Sequence, residues 1–198
     1  MSSAALALAL LLQASSASGA PGPGAMPALG ALEAPSGNPN AESFRRAAED
    51  AAAVTALLDG FHEAASRADG DTYFAMFAPG AMFIGTDASE RWDIEAFKAY
   101  AQPYFAKGQG WTYHPRSADR NMQFEGDVVI FDELLDHDRY GVMRGSGAVV
   151  RTSQGWKIKQ YVLSFTVPND SAPAVVAAIA ATPAQAPAPT SEPSAPAH

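Results

Sequence analysis

Two adjacent carboxylates, Asp132 and Glu133, stand inside the run VVIFDELL. Neighbouring strand residues point to opposite faces, so one of the two turns inward in either register. A carboxylate among apolar side chains is costly unless a cation or hydrogen bonds compensate it. Such a group is half of a structural ion pair, or it orients a substrate or moves a proton. The next strand-like run, YGVMRGSGAVVRT, supplies a cation in Arg144. If the turn Asp136–Arg139 sets Leu135 opposite Tyr140, Phe131 faces Arg144 and Glu133 is its same-face diagonal neighbour. A one-residue slip offers Asp132 instead.

The orientation of Arg144 follows from the last run, WKIKQYVLSF. Trp156, Ile158, Gln160, Val162 and Ser164 share one face. Lys157, Lys159, Tyr161, Leu163 and Phe165 share the other. The second face begins with two charges and ends with three bulky apolar groups. That suits an outer surface half wet and half covered by a partner subunit, so the Trp156 face is expected inside. A three-residue loop, Ser153-Gln154-Gly155, pairs Thr152 with Trp156. Arg144 then opposes Ser164 and points inward with Val142, Ala148 and Val150, and Gln160 becomes an inward polar contact.

Asp87 follows Gly85-Thr86 at the end of a short strand, where its ordinary role is to form a turn. His62 lies on the flank of a helical apolar stripe. Tyr73, Trp92 and Trp111 read first as core, and become ligand contacts with His62 and Gln160 if the core encloses a pocket. His62, His114 and His137 show no metal-ligand spacing, and there is no cysteine. No P-loop or dinucleotide fingerprint occurs. Gly145-Ser146-Gly147 lies inside a strand pattern and lacks the strand-to-helix setting of a nucleophile elbow. Any chemistry is therefore expected to run without a cofactor or metal.

Several elements must position these groups. A long helix is expected from about Ala41 to Ala68, with Val54, Leu57, Leu58, Phe61, Ala65 and Ala68 on one stripe. Gly70 is expected to close it and Asp71 to cap a short helix, Thr72 to Phe77. Short strands follow at Ala81–Ile84 and Ser89–Trp92. Asp93 caps a third helix to Lys107, with a kink or break at Pro103. Strands at Trp111–His114 and Arg120–Phe124 lead into the three-stranded meander from Asp127 to Phe165. Helices before a curved antiparallel sheet make an α+β architecture.

Charged residues make up 17% of the 198, and outside Glu42–Asp170 only Glu33 and Glu192 carry charge. A globular domain at 41–170 thus lies between an Ala/Pro/Gly-rich linker at 20–40 and an Ala/Pro-rich disordered tail at 171–198, within which Val175–Ala181 could form a helical turn or two. Ala4–Leu12 is a continuous apolar run, followed by small residues at Ser15–Gly19, so 1–19 reads as a signal peptide and the mature protein as periplasmic or secreted. The run is too short to span a bilayer. A net charge of −8 repels phosphate and argues against nucleic acid as a partner.

The stretches LLDGFHEAASRADGDTYFAMFAPGAMFIG, DIEAFKAYAQPYF and RGSGAVVRTSQGWKIKQYVLSF resemble the SnoaL-like branch of the NTF2-like superfamily over about Glu49–Pro168. The resemblance implies a half-open cone whose curved sheet wraps the first helix, an apolar pocket, and a homodimer through the outer sheet face. Members include cyclases, isomerases, dehydratases and non-catalytic association domains. The branch often carries histidines at inward positions of the last strand, where this chain has Gln160 and Val162. In isomerase-like members a carboxylate near Asp87 takes a substrate proton. The expected function is an exported pocket protein binding a small apolar molecule, with acid/base chemistry at Glu133, Asp132, Arg144 and Asp87. The competing expectation is an association module with a filled cone.

Overall fold

The computed structural model describes residues 39–182. The expected signal peptide, the linker as far as residue 38 and the tail from residue 183 lie outside the described residues.

The long helix α1 (Pro39–Ser66) buries Val54, Leu58, Phe61, His62, Ala64 and Ala65. Its end is set by Ala68, at φ 55°, and not by Gly70. Asp69, two residues before the expected cap, receives the Thr72 N–H at 3.1 Å and starts α2 (Gly70–Ala75). Strand β1 (Phe77–Ile84) pairs with β2 (Arg91–Asp93). Asp93 caps α3 (Ile94–Phe105), its carboxylate accepting the Ala96 N–H at 2.8 Å. The helix passes through Pro103 and ends two residues later. Trp111–Tyr113 is loop, and only His114–Pro115 pairs, as β3. Strands β4 (Asn121–Glu125), β5 (Val128–His137), β6 (Gly141–Thr152) and β7 (Gly155–Phe165) complete the sheet.

Sheet order is β2-β1-β7-β6-β5-β3, with β4 also on β5. The fold is α+β, a curved, unclosed sheet with α1 against its inner face. The β1–β7 pairing is parallel, so the sheet is mixed and not wholly antiparallel. Val129, Phe131, Glu133 and Leu135 alternate inward along β5. Residues Ala172–Ala181 form α4, longer than the turn or two expected at Val175–Ala181. Among the described residues no helix is long and apolar enough to cross a membrane.

Two register details reverse the expected faces. The β6–β7 turn has two residues, Ser153–Gln154, with Gly155 at φ 93° and Thr152 opposite Gly155. Further along, Val149 pairs with Ile158 and Ala148 with Gln160, leaving Lys159 as a bulge. Lys159 Nζ anchors there on the carbonyls of Pro79 (2.8 Å) and Gly80 (3.0 Å). The bulge restores the residue the shorter turn removed, so Arg144 does oppose Ser164. It also switches side-chain parity. Trp156 and Ile158 point inward as expected, but beyond the bulge Tyr161 and Leu163 take the inner face. Gln160, Val162, Ser164 and Arg144 therefore lie on the outer face.

The β5–β6 turn is the second detail. Leu135 pairs with Met143 instead of Tyr140, because Asp138–Tyr140 make a three-residue connection closed by Gly141 at φ 69°. A shift of three is odd, so each strand's contacts change face. Glu133 opposes Gly145 on the inside and Asp132 opposes Ser146 on the outside.

Candidate functional site

Glu133 is fully buried and forms the centre of a polar cluster. His62, one turn beyond Leu58 on α1, places Nε2 2.7 Å from Glu133 Oε1. Tyr161 Oη donates to the same oxygen at 3.0 Å. Arg120, just before β4, donates from Nε to Oε2 at 2.9 Å, while its Nη2 sits 2.7 Å from that oxygen without hydrogen-bond alignment. Arg120 Nη1 contacts Asp59 Oδ1 at 2.8 Å. The inner face has room for this because positions 145 and 147 are glycine. A Cβ on Gly145 would lie 2.0 Å from Tyr161 Oη, and one on Gly147 would lie 1.9 Å from the Gln160 carbonyl.

Burial pushes the Glu133 carboxyl up, but the hydrogen bond and charge of His62 and the charge of Arg120 outweigh it and hold the group below its ordinary range. Glu133 is therefore ionised at neutral pH, and the His62 Nε2 facing it carries a proton. Burial first, then the Glu133 charge, drives the Tyr161 phenol well above its ordinary value, so it stays a donor. Nε2 is thus committed to Glu133.

A cavity of about 10 Å³ adjoins this cluster, with His62, Tyr161, Tyr73, Trp111, Tyr113 and Leu163 among its walls. Space of that size holds about one water-sized group. Tyr73 is fully buried and its Oη has no hydrogen-bond partner of normal geometry. The Trp111 indole is near enough to influence it, but an indole N–H can only donate, so the Tyr73 proton lacks an acceptor.

Phe83, Trp111, Tyr113 and Leu163 are shared with a larger pocket of about 400 Å³ at the open end of the cone. Eight of its fifteen wall residues are aromatic, and Glu90 is the single charged one. On the other side, His62 and Tyr113 also border a surface groove of about 330 Å³ with Asp59, Glu63 and His114.

Of the residues expected at a site, Glu133, His62, Tyr73 and Trp111 come together here. Asp132 and Arg144 do not. They face each other at 3.5 Å on the outer surface, with side chains 37% and 50% exposed. The inward placement of Arg144 is corrected by the parity argument above, and Gln160 moves outside with it. Asp87 is exposed and closes a turn, accepting from the Ser89 N–H (2.8 Å) and Oγ–H (2.6 Å). Trp92 stacks on Tyr100 at 5.2 Å, behind the pocket wall. Sequence reasoning missed Arg120, Tyr161, Tyr113 and Glu90. A signal for Tyr161 was present: the bulky apolar spacing Trp156, Ile158, Tyr161, Leu163 steps by three across the polar pair Lys159-Gln160, the mark of a bulge. Nothing local singles out Arg120. Among the described residues no group of three or more His, Asp or Glu is placed to hold a metal ion.

The family model of the SnoaL-like domain matches residues 54–168. Among solved structures, the chain is similar to an NTF2-like protein with a cystatin-like fold from Novosphingobium aromaticivorans. Identity is 14%, coverage 72% of this chain and 99% of that one, and the TM-score 0.53. A cystatin-like domain of unknown function from Nostoc punctiforme gives 14%, 68%, 88% and 0.53. A Streptomyces avermitilis protein of the NTF2-like family, provisionally called a dehydratase, gives 13%, 61%, 98% and 0.50. At such identities the likeness is one of fold. A search of curated proteins gave no match.

Proposed function

The chain belongs to the SnoaL-like domain family, and on that footing we propose that its cone receives a small, largely apolar molecule, with His62 as the acid/base group at the inner end. The carrying observation is the continuity of walls. The pocket of about 400 Å³ shares Phe83, Trp111, Tyr113 and Leu163 with the inner cavity that His62, Tyr73 and Tyr161 border. Its volume is that of an ordinary ligand site. An apolar body fits the outer part, and a single oxygen fits the inner cavity, where Tyr73 offers an unused proton.

The chemistry follows from the hydrogen bonds. Glu133 fixes the imidazole by its Nε2, and Arg120 and Tyr161 fix Glu133. Nδ1 accepts a proton from the bound molecule or returns one, and the Tyr73 hydroxyl stabilises charge on the ligand oxygen. The groove beside Asp59 and Glu63 gives His62 a route for exchanging that proton with water. Such a unit serves isomerisation, cyclisation or hydrolysis without a cofactor. A filled cone acting only in association would lack the outer pocket. The proposal includes export, on the apolar run Ala4–Leu12, and a homodimer through the outer sheet face. The surface for that dimer is not Tyr161 and Leu163, which are buried. It is the face bearing Ile130, 53% exposed, and Val162.

Native mass spectrometry of protein purified from its source tests the receptor reading, with a bound small molecule expected. Leu163→Trp fills the pocket and should expel it. A ligand retained at full occupancy by the folded Leu163→Trp variant sits elsewhere and refutes the proposal. His62→Gln should keep binding and lose turnover.

A further inference from the structure

We propose that the outer pocket selects a small organic cation, an amine or quaternary ammonium carried on an apolar body. This rests on the receptor reading above and names its ligand class. Cations bind the negative faces of aromatic rings, and do so best where a nearby carboxylate completes the charge balance. The pocket offers both. Tyr100, Tyr104, Trp111 and Tyr113 supply ring surface, and Glu90 is the one charged wall residue. Phe83 and Phe97 also line the pocket but stack on each other at 4.0 Å, so their facing sides are taken. Arg139 lies 5.3 Å from the Tyr140 ring centre, so that rim face already carries a cation and is left out of the cage.

Glu90 is held in place by the chain around it. Its backbone carbonyl accepts the Gly85 N–H at 2.8 Å, and its Oε2 accepts the Asp87 N–H at 3.2 Å. Position 85 must be small for this: a Cβ on Gly85 would lie 2.2 Å from Glu90 Oε2. After burial and neighbouring tyrosines, the Glu90 charge also helps raise the phenols of Tyr100 and Tyr113. The chain's net charge of −8 favours the approach of a cation.

The test is titration calorimetry with benzyltrimethylammonium and its neutral carbon isostere, neopentylbenzene, on the wild type, Glu90→Gln and Gly85→Ala. Glu90→Gln keeps the shape and the acceptor for the Asp87 N–H. Gly85→Ala keeps the charge but pushes the carboxylate aside. The ratio of the two dissociation constants should move toward the neutral compound by roughly tenfold in Glu90→Gln, the scale of a partly desolvated cation contact. A smaller shift in the same direction is expected for Gly85→Ala. If both compounds bind and Glu90→Gln leaves the ratio unchanged, the cation inference is overturned and the receptor reading stands. If neither binds the wild type, both are overturned.

Discussion

Two of the arginine–carboxylate pairs, Arg120–Glu133 and Arg144–Asp132, lie on opposite faces of the sheet, and their burial gives them very different weights. The Arg120 side chain is 3% exposed and Glu133 is fully buried, with Nε and Nη2 of the arginine 2.9 and 2.7 Å from one carboxylate oxygen. Arg120→Met removes the cation and leaves Glu133 buried against His62 and Tyr161. An uncompensated buried charge of this kind costs about 3–5 kcal/mol. Arg144 and Asp132 meet at 3.5 Å with side chains 50% and 37% exposed, so Arg144→Met should cost only about 0–1 kcal/mol. In a domain of this size the difference amounts to roughly 10 °C in Tm. Urea melts of Arg120→Met, Glu133→Gln and the double variant measure the coupling directly, and Arg144→Met with Asp132→Asn forms the control cycle. The Arg120–Glu133 coupling should approach about 3 kcal/mol, the upper end for residues in contact. If Arg144→Met proves as damaging as Arg120→Met, or the buried pair shows no coupling, the assignment of faces is wrong and the site falls with it.

Four further outcomes follow from named contacts. Glu133 has its carboxyl held below the ordinary glutamate value of 4.5, so it releases its proton more readily folded than unfolded. Its contribution is complete above that value and is lost as pH falls through the lower, folded one; the acid slope of stability should flatten in Glu133→Gln, read by urea melts between pH 6 and 3. Deleting Lys159 removes the bulge and leaves Ile158 inward, Gln160 outward and Tyr161 inward by plain alternation, so the deletion should keep the cooperative melt, whereas deleting Lys159 and Gln160 together would turn Tyr161 and Leu163 outward and should abolish it. Gly147→Ala would put a Cβ 1.9 Å from a backbone carbonyl that cannot rotate away, at a cost of about 1–3 kcal/mol in the same melts. N-terminal sequencing of exported protein should find a start between Ser18 and Ala20, and soluble cytoplasmic protein retaining Met1 would exclude export.

What the sequence determined by itself was the set of elements and their order. The apolar stripe from Val54 to Ala65 specified α1, Asp93 announced α3 through its capping carboxylate, and the β-branched runs after Asp127 specified the meander, because period and turn chemistry are local properties. The buried carboxylate was also legible, since Asp132-Glu133 within VVIF and LL forces one acid inward. Which of the two it is, and what meets it, depended on parity. One bulge at Lys159 and one three-residue turn at Asp138–Tyr140 decided that Glu133 points in, that Tyr161 joins it and that Arg144 stays outside. Both are changes of a single residue or an odd shift in register, and each reverses every side chain beyond it. Arg120 was beyond reach for a different reason. Its partners Asp59 and Glu133 are 61 and 13 residues away in the chain, and only the packing of α1 onto the sheet brings helix, loop and strand to one point.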